Sequence, residues 1–359
     1  TSGTTGLPKA ARTSRAADGD DADRMQLREY QFDVMRRRYG LVRHRRELLT
    51  LPLHHGMGPM AAEICLKQGG TLHILRQFDA EQTLRMLYEH RITSWSCVPT
   101  MLFRIAALPP TLLAQYRPSD LAVLNVGGAY FPPALKEWAI RYFGHCVSEG
   151  YGLTETGPVT GIAGTEAISR LDSCGKPYRH VELRILDGSG RLCQPGETGE
   201  LYAKTPLVDP NDPLVTKDGF FRTGDIAMVD SDGYLSITGR LKDVIVSGGV
   251  KIFPRDVEDV LTRHPAVLEA AVIGVPDSEF GERVVAICET SRAVEVGELH
   301  TFARNNLSGF KLPRDIRLVD ALPRNDAGKV LKARLRQVFG ASNNPTTTDT
   351  PKEEACQPS

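Results

Sequence analysis

Surplus charge of either sign is absent. Lys plus Arg number 44 and Asp plus Glu also 44, a formal net charge of +0 at pH 7. No bulk positive field draws nucleic acid or an anionic membrane to such a chain, so any anionic ligand has to be caught locally. Long apolar runs are missing too, none approaching the about 18 residues that a spanning helix needs. No CxxC spacing occurs. The seven cysteines, Cys65, Cys97, Cys146, Cys174, Cys193, Cys288 and Cys356, are scattered and odd in number, which argues against a disulfide framework or a zinc cluster. Nothing at the start has the pattern of a secretory signal peptide. Together these absences predict a cytoplasmic protein with reduced thiols.

What is present is ordinary for a globular protein: 41% apolar and 25% charged residues over a length of 359. That length predicts two or three domains with real cores, and the composition excludes a wholly disordered or fibrous chain.

From Glu47 to about Gly150, short apolar runs alternate with amphipathic stretches, the pattern of strand and helix units around a parallel sheet. The runs are 48–53, 71–75, 92–98, 121–126 and 145–150. Helical spacing appears over 79–90, with Leu84, Leu87 and Tyr88, and over 133–143, with Leu135, Trp138, Ala139 and Tyr142. Ligands of such sheets bind beyond the carboxyl ends of the strands. From about Ser173 to Ile237 the texture changes to short strands and turns, including 181–192 and 199–204, a small β-rich subdomain. Beyond Arg240 the pattern predicts an α+β unit: helix 255–264, strands near 268–275 and 283–289, helix 297–307, strand 315–320 and helix 330–339. The tail after residue 340 has almost no apolar content and is expected to be disordered. The α/β reading thus divides the chain into a large domain, 1–240, containing the β-rich part at 173–238, then a C-terminal domain, 241–339, and the tail, 340–359.

Arginines crowd the stretch 11–46, among them Arg36, Arg37, Arg38, Arg43, Arg45 and Arg46. Acids are interleaved and no aromatic ladder accompanies them, so a solvated helix face is expected rather than a nucleic-acid surface.

The chain opens on TSGTTGLPK. Thr1, Ser2, Gly3, Thr4, Thr5 and Gly6 are small or hydroxylic, and Lys9 closes the loop. Such residues let backbone amides and hydroxyls approach an anion closely, the chemistry of a phosphate cradle, although a flexible terminus has the same composition. It is not the GxxxxGK[ST] loop, because Pro8 precedes the lysine and no Ser or Thr follows it.

The stretch TSGTTGLPK resembles the phosphate-binding signature of the AMP-forming adenylating superfamily, which includes acyl-CoA synthetases and peptide-synthetase adenylation domains. Six further matches follow in the family's order. Pro52, Leu53, His54 and His55 are similar to the motif that places a histidine, here His55, beside the acyl pocket. Gly127, Gly128 and Ala129 match the loop at the adenine edge. In YGLTE the resemblance implies that Tyr151 stacks on adenine beside Gly152, that Thr154 contacts phosphate and that Glu155 holds magnesium. A hard cation suits carboxylate and phosphate oxygens together. Thr223, Gly224 and Asp225 match the signature whose aspartate accepts hydrogen bonds from the ribose hydroxyls. The stretch 239–258 resembles the domain junction, with Arg240 reaching ribose or phosphate, Lys242 at the hinge, and Gly248 and Gly249 where pantetheine passes the backbone. Lys329, in PRNDAGK, matches the lysine that enters the active site in the first half-reaction.

The resemblance therefore implies the large adenylating domain's parallel sheet with a C-terminal α+β lid, ATP and Mg2+, and activation of a fatty or aryl carboxylic acid to acyl-AMP with release of pyrophosphate. CoA then takes the acyl group as a thioester. The catalytic set expected is Lys329, Thr154, Glu155 and His55. A chain opening inside the phosphate loop implies a portion of a longer enzyme, with part of the sheet missing. Two alternatives stand beside this: an adenylation domain loading a carrier protein, and a truncated, non-catalytic nucleotide-binding protein. The stretch TPLVDPNDPLVTKDGFFRTGD lacks the aromatic GY element usual before TGD in the family. Trp95, Met101, Gly127 and Val159 are candidates for the acyl pocket.

Overall fold

The computed structural model describes residues 20–54, 56–325 and 328–340. The chain divides into two compact units. The first runs to Val244 and also takes in Arg324–Lys329; the second covers Ile245–Pro323 and resumes at Val330.

In the first unit, helix α1 (Asp21–Val34) precedes an alternation of strands and helices: β1 (Arg46–Leu49), α2 (Met57–Lys67), β2 (Thr71–Ile74), α3 (Ala80–Glu89), β3 (Ser94–Cys97), α4 (Pro99–Ala106), α5 (Pro110–Gln115), β4 (Val123–Gly127), α6 (Pro133–Phe143) and β5 (Val147–Leu153). A hairpin then leads to β6 (Gly157–Ala163), α7 (Thr165–Ser169) and β7 (Lys176–Pro177). The seven strands lie in the order β2-β1-β3-β4-β5-β6-β7. The first five are parallel and β6 and β7 antiparallel.

Local chemistry accounts for the helices. In α3 the Asp79 side chain caps Gln82 N at 2.8 Å, and Leu84 and Leu87 turn inward. In α6, Pro133 stands in the first turn and Leu135, Ala139 and Phe143 recur every fourth residue on the buried face. These residues join Trp95, Leu124 and Val126 in one core between sheet and helices. Trp95 packs there against Phe143 and donates Nε1–H to Thr50 Oγ1 at 3.0 Å, and so belongs to the core.

The β-rich part is a four-stranded antiparallel sheet of β8 (Glu182–Leu186), β9 (Gly199–Lys204), β10 (Phe221–Val229) and β11 (Leu235–Arg240), in the order β11-β10-β9-β8. The second unit holds β12 (Ile245–Ser247), β13 (Val250–Ile252), α8 (Pro254–Leu261), β14 (Val267–Asp277), β15 (Gly281–Thr290), α9 (Val296–Asn306), β16 (Asp315–Val319) and α10 (Lys332–Gly340). Its sheet runs β13-β12-β15-β14, with β16 parallel to β15. Apolar residues of α8 and α9 cover one face, among them Val257, Leu261, Leu299 and Ala303, and Leu335 of α10 packs on the other.

The arginine stretch departs from the solvated face expected of it. Helix α1 ends in a π-helical turn, Met35–Tyr39, that carries Arg38 inward. Arg38 is 6% exposed and Arg45 0%. Arg45 pairs with the equally buried Glu47 at 3.0 Å and donates to Ser94 Oγ at 2.9 Å. Arg37 donates to the carbonyls of Pro177, at 2.8 Å, and Gly161, at 2.9 Å. A guanidinium has five donors and an apolar stem, so it can be buried wherever carbonyls and an acid are supplied. Charge counting does not see those partners.

Candidate active site

The parallel strands β4 and β5 end side by side, with Gly127 paired to Gly150. Tyr151, Gly152 and Leu153 continue β5, and Thr154 and Glu155 form the turn to β6. YGLTE is thus half strand and half hairpin turn. The hairpin is tight: a Cβ on Gly152 would lie 2.4 Å from the Gly157 carbonyl oxygen, and Gly157 has φ +64°. Beneath it, Lys136 is buried against Glu149 at 2.8 Å and also donates to the carbonyl of Ser173 at 2.7 Å.

Thr223, Gly224 and Asp225 interrupt the pairing of β10 with β9, whose register shifts between Arg222 and Ile226. Gly224 takes φ +70° there, a backbone conformation costly for residues with a Cβ. Thr223 Oγ1 accepts from Asp225 N at 3.1 Å and donates to the Leu201 carbonyl at 2.7 Å, fixing the bulge. Asp225 is then opposite Arg240 on β11. Arg240 Nε meets Asp225 Oδ1 at 2.7 Å, and Tyr151 Oη donates to Asp225 Oδ2 at 2.6 Å. Burial lifts the Tyr151 phenol well above its ordinary pKa, and the neighbouring Asp225 charge adds to this. The tyrosine is therefore a neutral donor.

Lys329 stands on a turn tied by Asn325, whose Oδ1 accepts from Lys329 N at 2.9 Å and whose carbonyl accepts from Gly328 N at 2.8 Å. Thr100 Oγ1 donates to the Gly328 carbonyl at 3.2 Å. The Lys329 pKa is lowered, first by burial and then by the Arg240 charge, while Asp225 and Glu155 pull it back up. Lys242 also feels this lysine and lies on the exposed turn Leu241–Asp243.

Lys329 is thus within electrostatic reach of Asp225, Arg240, Glu155 and Lys242, and Tyr151 of Asp225 and Arg240. Gly127 is buried at the end of β4, while Gly128 and Ala129 are exposed just beyond it. Gly248 and Gly249 form the β12–β13 turn of the second unit, with φ +57° and +80°. Thr1, Ser2, Gly3, Thr4, Thr5, Gly6, Lys9 and His55 lie outside the described residues, as does the tail from Ala341. Among the described residues no cluster of three or more His, Cys, Asp or Glu could hold a metal ion by itself, and no helix is long and apolar enough to cross a membrane.

The turn-rich NDAG stretch before Lys329 is visible in the sequence, and Asn325 anchors it. Two other contributors, Thr100 and Arg38, have no local signal, since each reaches its partners across many residues of sequence.

Residues 1–209 match the AMP-binding enzyme family and residues 256–329 its C-terminal domain. A 2-succinylbenzoate–CoA ligase of Bacillus licheniformis is 36% identical over 343 residues, covering 93% of this chain and 68% of the relative. A fatty acid–[acyl-carrier-protein] ligase of Streptomyces coeruleorubidus is 33% identical over 355 residues, covering 94% and 66%. The structure of O-succinylbenzoate coenzyme A synthetase from Bacillus subtilis, in complex with ATP and magnesium, superposes with a TM-score of 0.77 at 30% identity, covering 94% of this chain and 68% of that one. The chain spans about two thirds of the length of these relatives. With a family match across more than half its length, the chain belongs to the AMP-binding enzymes, the AMP-forming adenylating superfamily.

Proposed function

We propose that this protein is an AMP-forming acid–thiol ligase, which joins a carboxylic acid to AMP and then passes the acyl group to the thiol of CoA. The observation that carries the reading is the meeting of Tyr151, Asp225 and Arg240, from three strands, with Lys329 beside them.

A carboxylate is a poor acceptor for a thiol because its leaving group would be oxide. In the first half-reaction a carboxylate oxygen attacks the α-phosphorus of MgATP, the bond to the β-phosphate oxygen breaks, and pyrophosphate leaves. In the second the CoA thiol gives up its proton, attacks the acyl carbon and expels AMP. Positioning and charge neutralisation suffice for both steps, without a nucleophilic side chain.

The residues take the following roles. Asp225 holds the ribose hydroxyls, Tyr151 offers its ring to adenine, Gly127, Gly128, Ala129 and Gly152 contribute backbone at the adenine edge, and Arg240 adds positive charge beside ribose or phosphate. Thr154 contacts phosphate, as does the loop Thr1–Gly6 with Lys9. Magnesium arrives with ATP; the half-buried Glu155 in a solvent-facing turn suits an ion that keeps waters and phosphate oxygens as its other ligands. Lys329, as an ammonium, stabilises the charge that builds between the acid and the α-phosphate. The motif match assigns His55 to the acyl group, Lys242 to the hinge, and Gly248 and Gly249 to the passage of pantetheine. A domain division near Arg240, with 241–339 as the lid, fits these roles. The acid is fatty or aryl. The free cysteines among the described residues fit a reducing cytoplasm.

The Streptomyces relative, which acts on a carrier protein, favours one second reading: a carrier-bound phosphopantetheine in place of CoA. Acid-dependent ATP–pyrophosphate exchange tests the first half-reaction, and thioester yield with free CoA against a holo-carrier separates the acceptors. Exchange without dependence on any acid contradicts the proposal.

A further inference from the structure

Resting on the ligase reading, we infer that Arg38 selects the substrate: it binds a second carboxylate, at the end of the acid remote from the reacting one. Its guanidinium lies against the ends of the two strands that carry the site. A Cβ on Gly127 would be 2.5 Å from Arg38 Nη2, and one on Gly150 would be 2.9 Å from Arg38 Cζ. The absence of side chains at both positions leaves the cation room at the carboxyl ends of β4 and β5, where a sheet of this kind takes its ligand.

A line of contacts runs from this cation to the reacting end. Met57 Sδ is 3.8 Å from Arg38 Nη2. It is also 3.6 Å from where a Cβ on Gly128 would stand, and that position is 3.5 Å from Val98 Cγ1. Val98 Cγ2 in turn is 3.4 Å from the corresponding position on Gly328, the residue before Lys329. An acid with one carboxylate at Lys329 and another at Arg38 would lie along Val98, Gly128 and Met57.

The guanidinium has donors to spare. Nε donates to Asn125 Oδ1 at 2.8 Å, Nη2 touches only the Met57 thioether, and Nη1 meets no acceptor among the described residues. No described carboxylate is within ion-pair distance of it. Arg45, fully buried, shows the contrast, with an acid, Glu47, and also Ser94 and the Tyr39 carbonyl accepting from its Nη atoms. Arg38 is 6% exposed and none of its nitrogens is both buried and unpartnered, so the spare Nη1 donor keeps access to solvent, and a carboxylate arriving with the substrate would meet the two Nη donors side by side. Asn125 is itself held by Ser96 Oγ at 3.2 Å, so Arg38 is aimed before the ligand comes.

The test is exchange by the full chain with acids matched in length, straight-chain or aryl, with and without a terminal second carboxylate. The expected result is a dicarboxylate favoured over its monocarboxylate counterpart by about 10-fold or more in kcat/KM, with Arg38→Met shifting that ratio about 100-fold toward the monocarboxylate and Arg38→Lys recovering part of it. A preference for monocarboxylates throughout, or an Arg38→Met variant that lowers both alike, overturns the inference. The preference of the unaltered chain decides the case even where Arg38→Met does not fold. If no acid supports exchange, the ligase reading fails. Calorimetric titration with the same acids in the absence of ATP then decides Arg38 separately: tighter dianion binding supports it and equal binding overturns it.

Discussion

Tyr151 and Asp225, 74 residues apart in sequence, share a hydrogen bond of 2.6 Å, while Arg240 takes the other oxygen of the same carboxylate. Both Asp225 oxygens are thus engaged, and a ribose must share or displace a partner. Removing the Tyr151 hydroxyl leaves the ring for adenine and gives up one hydrogen bond, worth about 0.5–1.5 kcal/mol. Tyr151→Phe is expected to change ATP affinity by no more than about 10-fold, whereas Asp225→Ala loses about 100-fold or more, because the acceptor itself is gone. Calorimetric titration with ATP checks both.

Lys329 is expected to act in one half-reaction only. Lys329→Ala should lower the rate of pyrophosphate release by about 100- to 1,000-fold, the magnitude of a lost transition-state charge contact. Thioester formation from preformed acyl-AMP should fall far less. Rapid-quench assays of the two steps distinguish this from general damage, which slows both.

The same lysine sets a pH limit. Its pKa lies below the ordinary lysine range because burial and Arg240 disfavour the ammonium. The stabilising charge is present below that pKa and lost as pH rises through it. Adenylate formation is therefore expected to fall on the alkaline side earlier than an exposed lysine would dictate, and Lys329→Arg should move that limb upward. A pH profile of single-turnover rates reads both.

Lys136 holds the YGLTE hairpin from below through Glu149. Lys136→Met removes the lysine from the part-buried Glu149 and the donor from the Ser173 carbonyl, which costs about 1–3 kcal/mol. Denaturant unfolding should show the loss, with ATP affinity falling alongside it.

Gly249, at φ +80°, sits where a side chain costs about 1–2 kcal/mol in backbone strain. Gly249→Leu should slow thioester formation far more than pyrophosphate exchange. Equal slowing of both steps contradicts a place for this turn in pantetheine passage.

Much of this was legible because local pattern and local structure agree. The runs at 71–75 and 121–126 became β2 and β4, and 133–143 became α6, since alternation and four-residue spacing are read from neighbours in sequence. Helices α2 and α4 lack so plain a signal: MGPMAAEICLK and PTMLFRIA carry apolar residues on more than one face, and the first turn of each contains Pro. The site's residue types were visible through their motifs, but their pairings were not. That Asp225 is engaged by a phenol from β5 and a guanidinium from β11 depends on a bulge that bends β10 and on strands distant in sequence. Burial of Arg38 and Arg45 follows from partners supplied by distant strands, which composition averages away.

The central claim is that the acid becomes an acyl-AMP before it meets a thiol. Turnover with acid labelled with 18O in its carboxylate, followed by mass spectrometry of the nucleotide product, tests it directly. One labelled oxygen per molecule should appear in the AMP phosphate, with less AMP formed by Asp225→Ala but the same label per molecule. Thioester formed while the AMP stays unlabelled, or ATP cleaved to ADP and phosphate, would contradict the account.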